Sequence, residues 1–186
     1  KENVTDYELG RTLSERYGAK VFVDNNANAA AVGCYMSQDE YDSVVLYTQQ
    51  TGYLVGGQGA VVDGHLLKGR KNFAGEIGPL FRAMHAIGDG ERDWDLAWSA
   101  EGMRSLVAPM LAANVSLLAP DAIYLAVDLL DDMDALREAM EPYFYGDLKQ
   151  YIPDLIRVTD YRERIALGEL ALCLQKLANP RPHRKH

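Results

Sequence analysis

Cysteine is nearly absent from this chain: Cys34 and Cys173 are the only two among 186 residues. Two thiols so far apart make neither a disulfide framework nor a Cys-rich zinc site. Both fall in apolar patterns, so both are expected as buried free thiols in a reducing cytoplasm. Long apolar runs are missing as well. Nothing approaches the roughly 20 residues that span a bilayer, and no signal-peptide pattern follows Lys1. Stretches such as Leu117 to Pro120 read as short core segments, and no membrane partner is expected. Basic charge is scarce, with a formal net charge of −8. Phosphate neutralisation needs clustered Lys and Arg, so this chain is a poor match for nucleic acid. Its basic cluster, Arg181 to His186, reads as a frayed terminus. If the intact protein binds DNA, a domain outside this chain is expected to do so. No internal repeat or low-complexity linker divides the sequence, and its length suits one domain.

What is present is an α/β pattern. Apolar residues at Leu9, Leu13 and Tyr17 predict a helix over Tyr7–Tyr17, with Thr5 as its cap and Gly18 as its stop. Lys20–Val23 reads as a short buried strand, and the alanine-rich Ala27–Tyr35 as a closely packed helix. Val44–Thr48 is the next strand. Asp63-Gly64, between Val61-Val62 and His65-Leu66-Leu67, predicts a hairpin with a two-residue primed turn. Arg82–Asp95 looks irregular. Trp98–Leu118 is helical with a break expected near Pro109. Strands are expected at Ala122–Leu125 and Leu155–Val158, and helices at Met133–Met140 and Arg162–Leu177. Hairpin strands combined with strand–helix alternation give a mixed sheet flanked by helices.

Three segments carry chemistry. Asp24-Asn25-Asn26-Ala27-Asn28 falls where a strand ends and a helix begins, a common place for ligands in α/β folds. Amides offer both donors and acceptors, which suits a hydroxyl-rich ligand. The pattern equally suits a cluster that only caps the helix. The second segment runs from Thr51 to Gly59, with Thr51, Gly52, Gly56, Gly57 and Gly59 as phosphate-loop candidates. It lacks the Lys-Ser/Thr of a P-loop and the dinucleotide fingerprint, so a plain flexible connection is the alternative. The third, Asn72-Phe73-Ala74-Gly75-Glu76-Ile77-Gly78-Pro79, pairs a close-packing glycine with one carboxylate. Alone, Glu76 is also an ordinary surface residue.

In combination these segments resemble the ROK family (repressor, open reading frame, kinase). The resemblance rests on Val23-Asp24-Asn25-Asn26-Ala27-Asn28-Ala29-Ala30-Ala31, on Asp63-Gly64-His65-Leu66-Leu67-Lys68-Gly69, and on Ala74-Gly75-Glu76-Ile77-Gly78. It covers residues 19–80 directly. Leu118-Ala119-Pro120 and Ala166 to Ala171 fit it more loosely. It implies a ribonuclease H-like, actin/hexokinase-type lobe. Residues 1–186 would form a single C-terminal lobe, without the first lobe or any helix-turn-helix. It also implies Asn25, Asn26 and Glu76 as sugar ligands.

The departures from the family pattern bear on activity. The family's catalytic base is an aspartate where Asn26 stands, and a neutral amide takes no proton at useful pH; such a loss typically costs about 10²–10⁴-fold. Asp24 is the candidate substitute. Pro79 replaces a histidine that contacts sugar and zinc, and the family's cysteine-rich zinc loop is absent, so no metal site is expected. His85 is a candidate stand-in for that histidine. Ala126-Val127 replace a Gly-Gly pair at the nucleotide site, where side chains would crowd an adenosine. These changes favour sugar sensing by a ROK-type regulator, with no cofactor and a homodimeric assembly. The alternatives are an ATP-dependent sugar kinase of a zinc-free branch, which would need ATP and Mg²⁺, and a structural or dimerisation lobe.

Overall fold

The computed structural model describes residues 6–84 and 94–178, with side chains from Glu8 onward. Thr5, His85, the basic tail and most of Arg82–Asp95 lie outside the described residues.

A mixed sheet of five strands forms the centre, in the order β3-β2-β1-β4-β5. β1 (Val44–Gln49) pairs antiparallel with β2 (Gly57–Val62), which continues into the two-residue β3 (His65–Leu66). On its other side β1 pairs parallel with β4 (Ala122–Val127), and β4 with β5 (Asp154–Arg157). This is the ribonuclease H-like topology. The hairpin turn is of the expected primed kind: Asp63 has φ 48 and Gly64 φ 73, both positive as that turn requires.

The helices are α1 (Asp6–Tyr17), α2 (Asn26–Met36), α3 (Gly78–Met84), α4 (Ala100–Leu118), α5 (Met133–Met140) and α6 (Tyr161–Ala178). Strand alternation sorts the core into two layers. Val45, Tyr47, Ile123 and Leu125 face α4 and α5. Val44, Leu46, Ala122 and Tyr124 face α2 and α6. Among the described residues no helix is long and apolar enough to cross a membrane.

α2 and α6 approach until backbones touch. A Cβ added at Gly168 would lie 1.7 Å from the Ala29 carbonyl oxygen, and one at Gly33 would lie 1.9 Å from that of Arg164. Hence the alanine-rich α2 with Gly33 at the contact: larger side chains would push the two helices apart. The same helix presses on β2, where a Cβ at Gly59 would meet the Ala27 carbonyl oxygen at 2.3 Å.

Several expectations change. Residues 20–25 form no strand, and the Val21 amide donates to Ser14 Oγ at 3.1 Å. An apolar run becomes a strand only beside a free backbone edge, and none of the described residues supplies one here. Gly57 and Gly59 belong to β2, not to a loop. Ala126 and Val127 lie inside β4 instead of following it. α4 passes unbroken through the buried Pro109: helix on both sides and burial against the sheet outweigh one lost backbone bond. α3 was not expected; Pro79 sits in its first turn, where a missing N–H costs nothing. Leu117 is exposed, and Cys173 is only partly buried, unlike Cys34.

Candidate functional site

Asp24, Asn25 and Asn26 gather at the N-terminus of α2, beside the end of β1. A short link, 37–43, joins the C-terminus of α2 to the start of β1, so the helix runs back against that strand. Ala27 accordingly packs near Gly57, at the start of β2.

Asn25 is the N-cap of α2, its Oδ1 accepting the Ala27 amide at 2.8 Å. Asn26 Oδ1 accepts the same amide at 2.9 Å. Both amide oxygens therefore serve the helix, and the capping role read from the sequence is real. Both residues are exposed. Asn25 Nδ2 lies 3.5 Å from Glu76 Oε1, across 51 residues of sequence. Glu76 is carried there by Gly75, which has φ 91 and whose added Cβ would be 2.2 Å from the Gln58 carbonyl oxygen. Only glycine fits that approach and that conformation. Beneath it, Gln58 and Asn114 form a buried reciprocal amide pair at 2.6 and 2.8 Å, fixing β2 against α4.

Asp24 turns the other way. Its Oδ2 pairs with Lys68 and lies 3.3 Å from Lys176 Nζ on α6. Its Oδ1 accepts the Asn25 amide at 3.0 Å and lies 3.5 Å from the Nδ2 of buried Asn28. Burial would raise the Asp24 carboxyl, but Lys68, the Asn25 amide and Lys176 together hold it below its ordinary value. A carboxylate so stabilised is a weak base. Lys68 and Lys176 gave no functional signal in the sequence, because nothing local links three residues spread over 152 positions.

The loop between β1 and β2 closes on itself. The Thr51 amide donates to Asp128 Oδ2 at 3.3 Å, the Gly52 amide to the Ala97 carbonyl at 2.9 Å, and the Tyr53 amide to the Gln50 carbonyl at 3.1 Å. A buried relay from Tyr47 Oη to Gln49, and from Gln49 to the Tyr53 carbonyl, holds its base at 2.6 Å in each step. The Trp98 ring covers Gly52, where an added Cβ would be 2.8 Å away. Gly56 fits under Thr48 and Tyr47 in the same way, with only 2.4 Å to the Thr48 carbonyl oxygen. These glycines have packing reasons of their own, and the Thr51, Gly52 and Tyr53 amides are taken, the first of them by a carboxylate.

Among the described residues no group of His, Cys, Asp and Glu could hold a metal ion.

Residues 1–87 match the family model described as ROK family. The chain has the fold of ROK proteins. It is 32% identical over 80 residues to the xylose repressor of Bacillus subtilis (strain 168), an alignment covering 42% of this chain and 20% of the repressor. The chain thus spans about a fifth of the length of the curated relatives it matches. A ROK hexokinase from Thermus thermophilus superposes with a TM-score of 0.66 at 21% identity, covering 94% of this chain and 72% of the hexokinase. A ROK glucokinase from Streptomyces griseus, solved with glucose and AMPPNP, gives 0.66 at 21% identity, covering 90% and 72%.

Proposed function

We propose that this chain is the sugar-binding lobe of a ROK-type regulator, and that it binds a sugar without phosphorylating it. The observation that carries this reading is the closed loop after β1. Its amides at Thr51, Gly52 and Tyr53 are already hydrogen-bonded, and Asp128 places a carboxylate where a phosphate would need a donor. An anion there would lose the Thr51 amide and meet like charge. The hydroxyl-binding set of Asn25, Asn26 and Glu76 is, by contrast, on exposed residues, with one long internal bond from Asn25 Nδ2 to Glu76 Oε1 at 3.5 Å. Asn26 cannot act as base, and Asp24 is engaged by two lysines. The 32% identity over 80 residues to a xylose repressor supports the regulatory side of the reading. In the intact protein this lobe would pair as a homodimer in the cytoplasm. Sugar binding would close it against a further domain and shift a DNA-binding head.

A second reading is an ATP-dependent sugar kinase of a zinc-free ROK branch. It is favoured by the two solved structures above, both described as kinases. The two readings share the sugar site and differ only at the phosphate loop and the base. Isothermal titration of the intact protein against a panel of aldoses and their derivatives tests the shared part. Binding to at least one sugar is expected, and folded protein that binds none overturns both. A coupled ATP-consumption assay with the bound sugar separates them: turnover that Asp24→Asn abolishes overturns the sensing reading.

A further inference from the structure

A second site stands at the opposite end of the strands. Tyr143, Phe144, Tyr145 and Tyr151 line a cleft of ≈ 730 Å³, with Asp121 and Asp154 at the starts of β4 and β5. The strands between it and Asn25 are about six residues long, some 20 Å at ~3.3 Å per residue. The volume lies within the range of about 300–1,000 Å³ usual for small-molecule sites.

The charge of the cleft has one sign. Both carboxylates line it, and among the described residues no lysine or arginine does. The carboxylates are also fixed in place. Asp121 Oδ2 accepts the Asp42 and Ser43 amides at 3.0 and 2.8 Å, and Asp154 Oδ2 accepts the Tyr41 hydroxyl at 2.9 Å. Nearby cations are engaged elsewhere. Lys149 pairs with Glu141, and Arg137 donates to the Ile152 and Pro153 carbonyls at 3.3 and 2.8 Å. Tyr145 and Tyr151 are 82% and 61% exposed, so their rings are open to a ligand. Aromatic faces attract cations, most strongly those that shed water easily. An anion here would meet two fixed carboxylates and no counter-charge.

We infer that this cleft binds an organic cation with a weakly held water shell, of the quaternary ammonium or guanidinium class. The charge comes either from a free amine or from a side chain of another protein. The assignment does not depend on the sugar site.

Calorimetry on the full chain with three probes tests it: choline, its uncharged carbon isostere 3,3-dimethylbutan-1-ol, and N-acetylarginine amide. At least one cation is expected to bind, with choline at least about tenfold tighter than the isostere if the source is a free amine. Binding of the arginine derivative alone also supports the site and assigns the source to a protein side chain. Tyr145→Ala, at a position too exposed to unsettle the fold, is expected to weaken the bound cation about tenfold. Asp154→Asn keeps an acceptor for Tyr41 and is expected to weaken binding and flatten its salt dependence. Binding of neither cation, equal binding of choline and the isostere, or affinity unchanged in both variants would overturn the inference. So would loss of cation binding in Glu76→Gln, which would move the cation to the other end of the strands.

Discussion

Lys68 and Asp24 form an ion pair 44 residues apart in sequence, and Lys176 of α6 joins it at 3.3 Å from the same carboxylate oxygen. One carboxylate thus ties the segment after β3 and the last helix to the entry of α2. Because the Asp24 pKa is lowered in the folded chain, its stabilisation is present above the unfolded value of about 3.9 and is lost as pH falls through the folded value. Lys68→Met is expected to cost about 1 kcal/mol at pH 7, since the pair is only partly shielded from water. Urea midpoints for wild type and variant should converge as the pH is lowered below the folded-state value of Asp24. A gap that stays constant down to that pH would show that Lys68 acts through packing alone.

The contact between Gly168 and the Ala29 carbonyl leaves no room for a methyl group. Gly168→Ala is therefore expected to destabilise the chain by about 1–3 kcal/mol, although alanine is the better helix former. Gly78→Ala is the control, because nothing lies within 4 Å of a Cβ there. Chemical denaturation of the two variants measures both, and a stability loss at Gly78 as large as at Gly168 would contradict the crossing described.

The sequence was informative where structure is local. The primed turn at Asp63-Gly64, the bounds of α5 and the stop at Gly18 all follow from neighbouring residues and came out as expected. Close backbone packing at Gly75 was also legible, although its partner, Gln58 of β2, was not. What failed was non-local. Lys20–Val23 has strand composition, but pairing depends on a neighbouring backbone edge that periodicity does not report. The glycines at 52, 56 and 59 look like a phosphate loop until Trp98, Tyr47 and Ala27 arrive from elsewhere in the chain to explain them. The two lysines on Asp24 could not be read for the same reason. In the site itself, Asn25 and Glu76 were both singled out from sequence, and the fold brings them together.

Burial pushes the Cys34 thiol up to about 12, with Arg164 only partly opposing the shift. Cys173 is less enclosed. Iodoacetamide at pH 8 is expected to label Cys173 and spare Cys34 until the protein unfolds, because the thiolate is the reacting species. Peptide mass mapping reads this directly. Early labelling of Cys34 would mean that the α2–α6 face opens readily in solution.

Asn25 and Glu76 have separable duties. Asn25 caps α2, so Asn25→Ala is expected to cost about 1 kcal/mol of stability as well as sugar affinity. Glu76 is exposed and presents its carboxylate to solvent. Glu76→Gln should leave the denaturation midpoint unchanged and weaken sugar binding about tenfold, the worth of one charge-assisted hydrogen bond. Calorimetry paired with urea titration checks both. A Glu76→Gln variant that loses stability but keeps its sugar affinity would reduce the cluster to a structural cap.

Restoring the base is not expected to restore transfer. Asn26→Asp supplies a carboxylate at the family's base position, and its oxygen can still accept the Ala27 amide. Yet the Thr51, Gly52 and Tyr53 amides remain bonded to Asp128, Ala97 and Gln50. Transition-state charge on a phosphoryl group would find none of these three amides free, and removing one such donor alone typically costs about 10²–10³-fold. The single variant is therefore expected to bind sugar and show no ATP consumption above background in a coupled assay. Asp128→Ala combined with Asn26→Asp frees one amide and removes the opposing charge, so any recovered turnover should appear first in that pair. Turnover in Asn26→Asp alone would mean that the loop opens to admit a phosphate, and the chain would then be a kinase held silent by one amide.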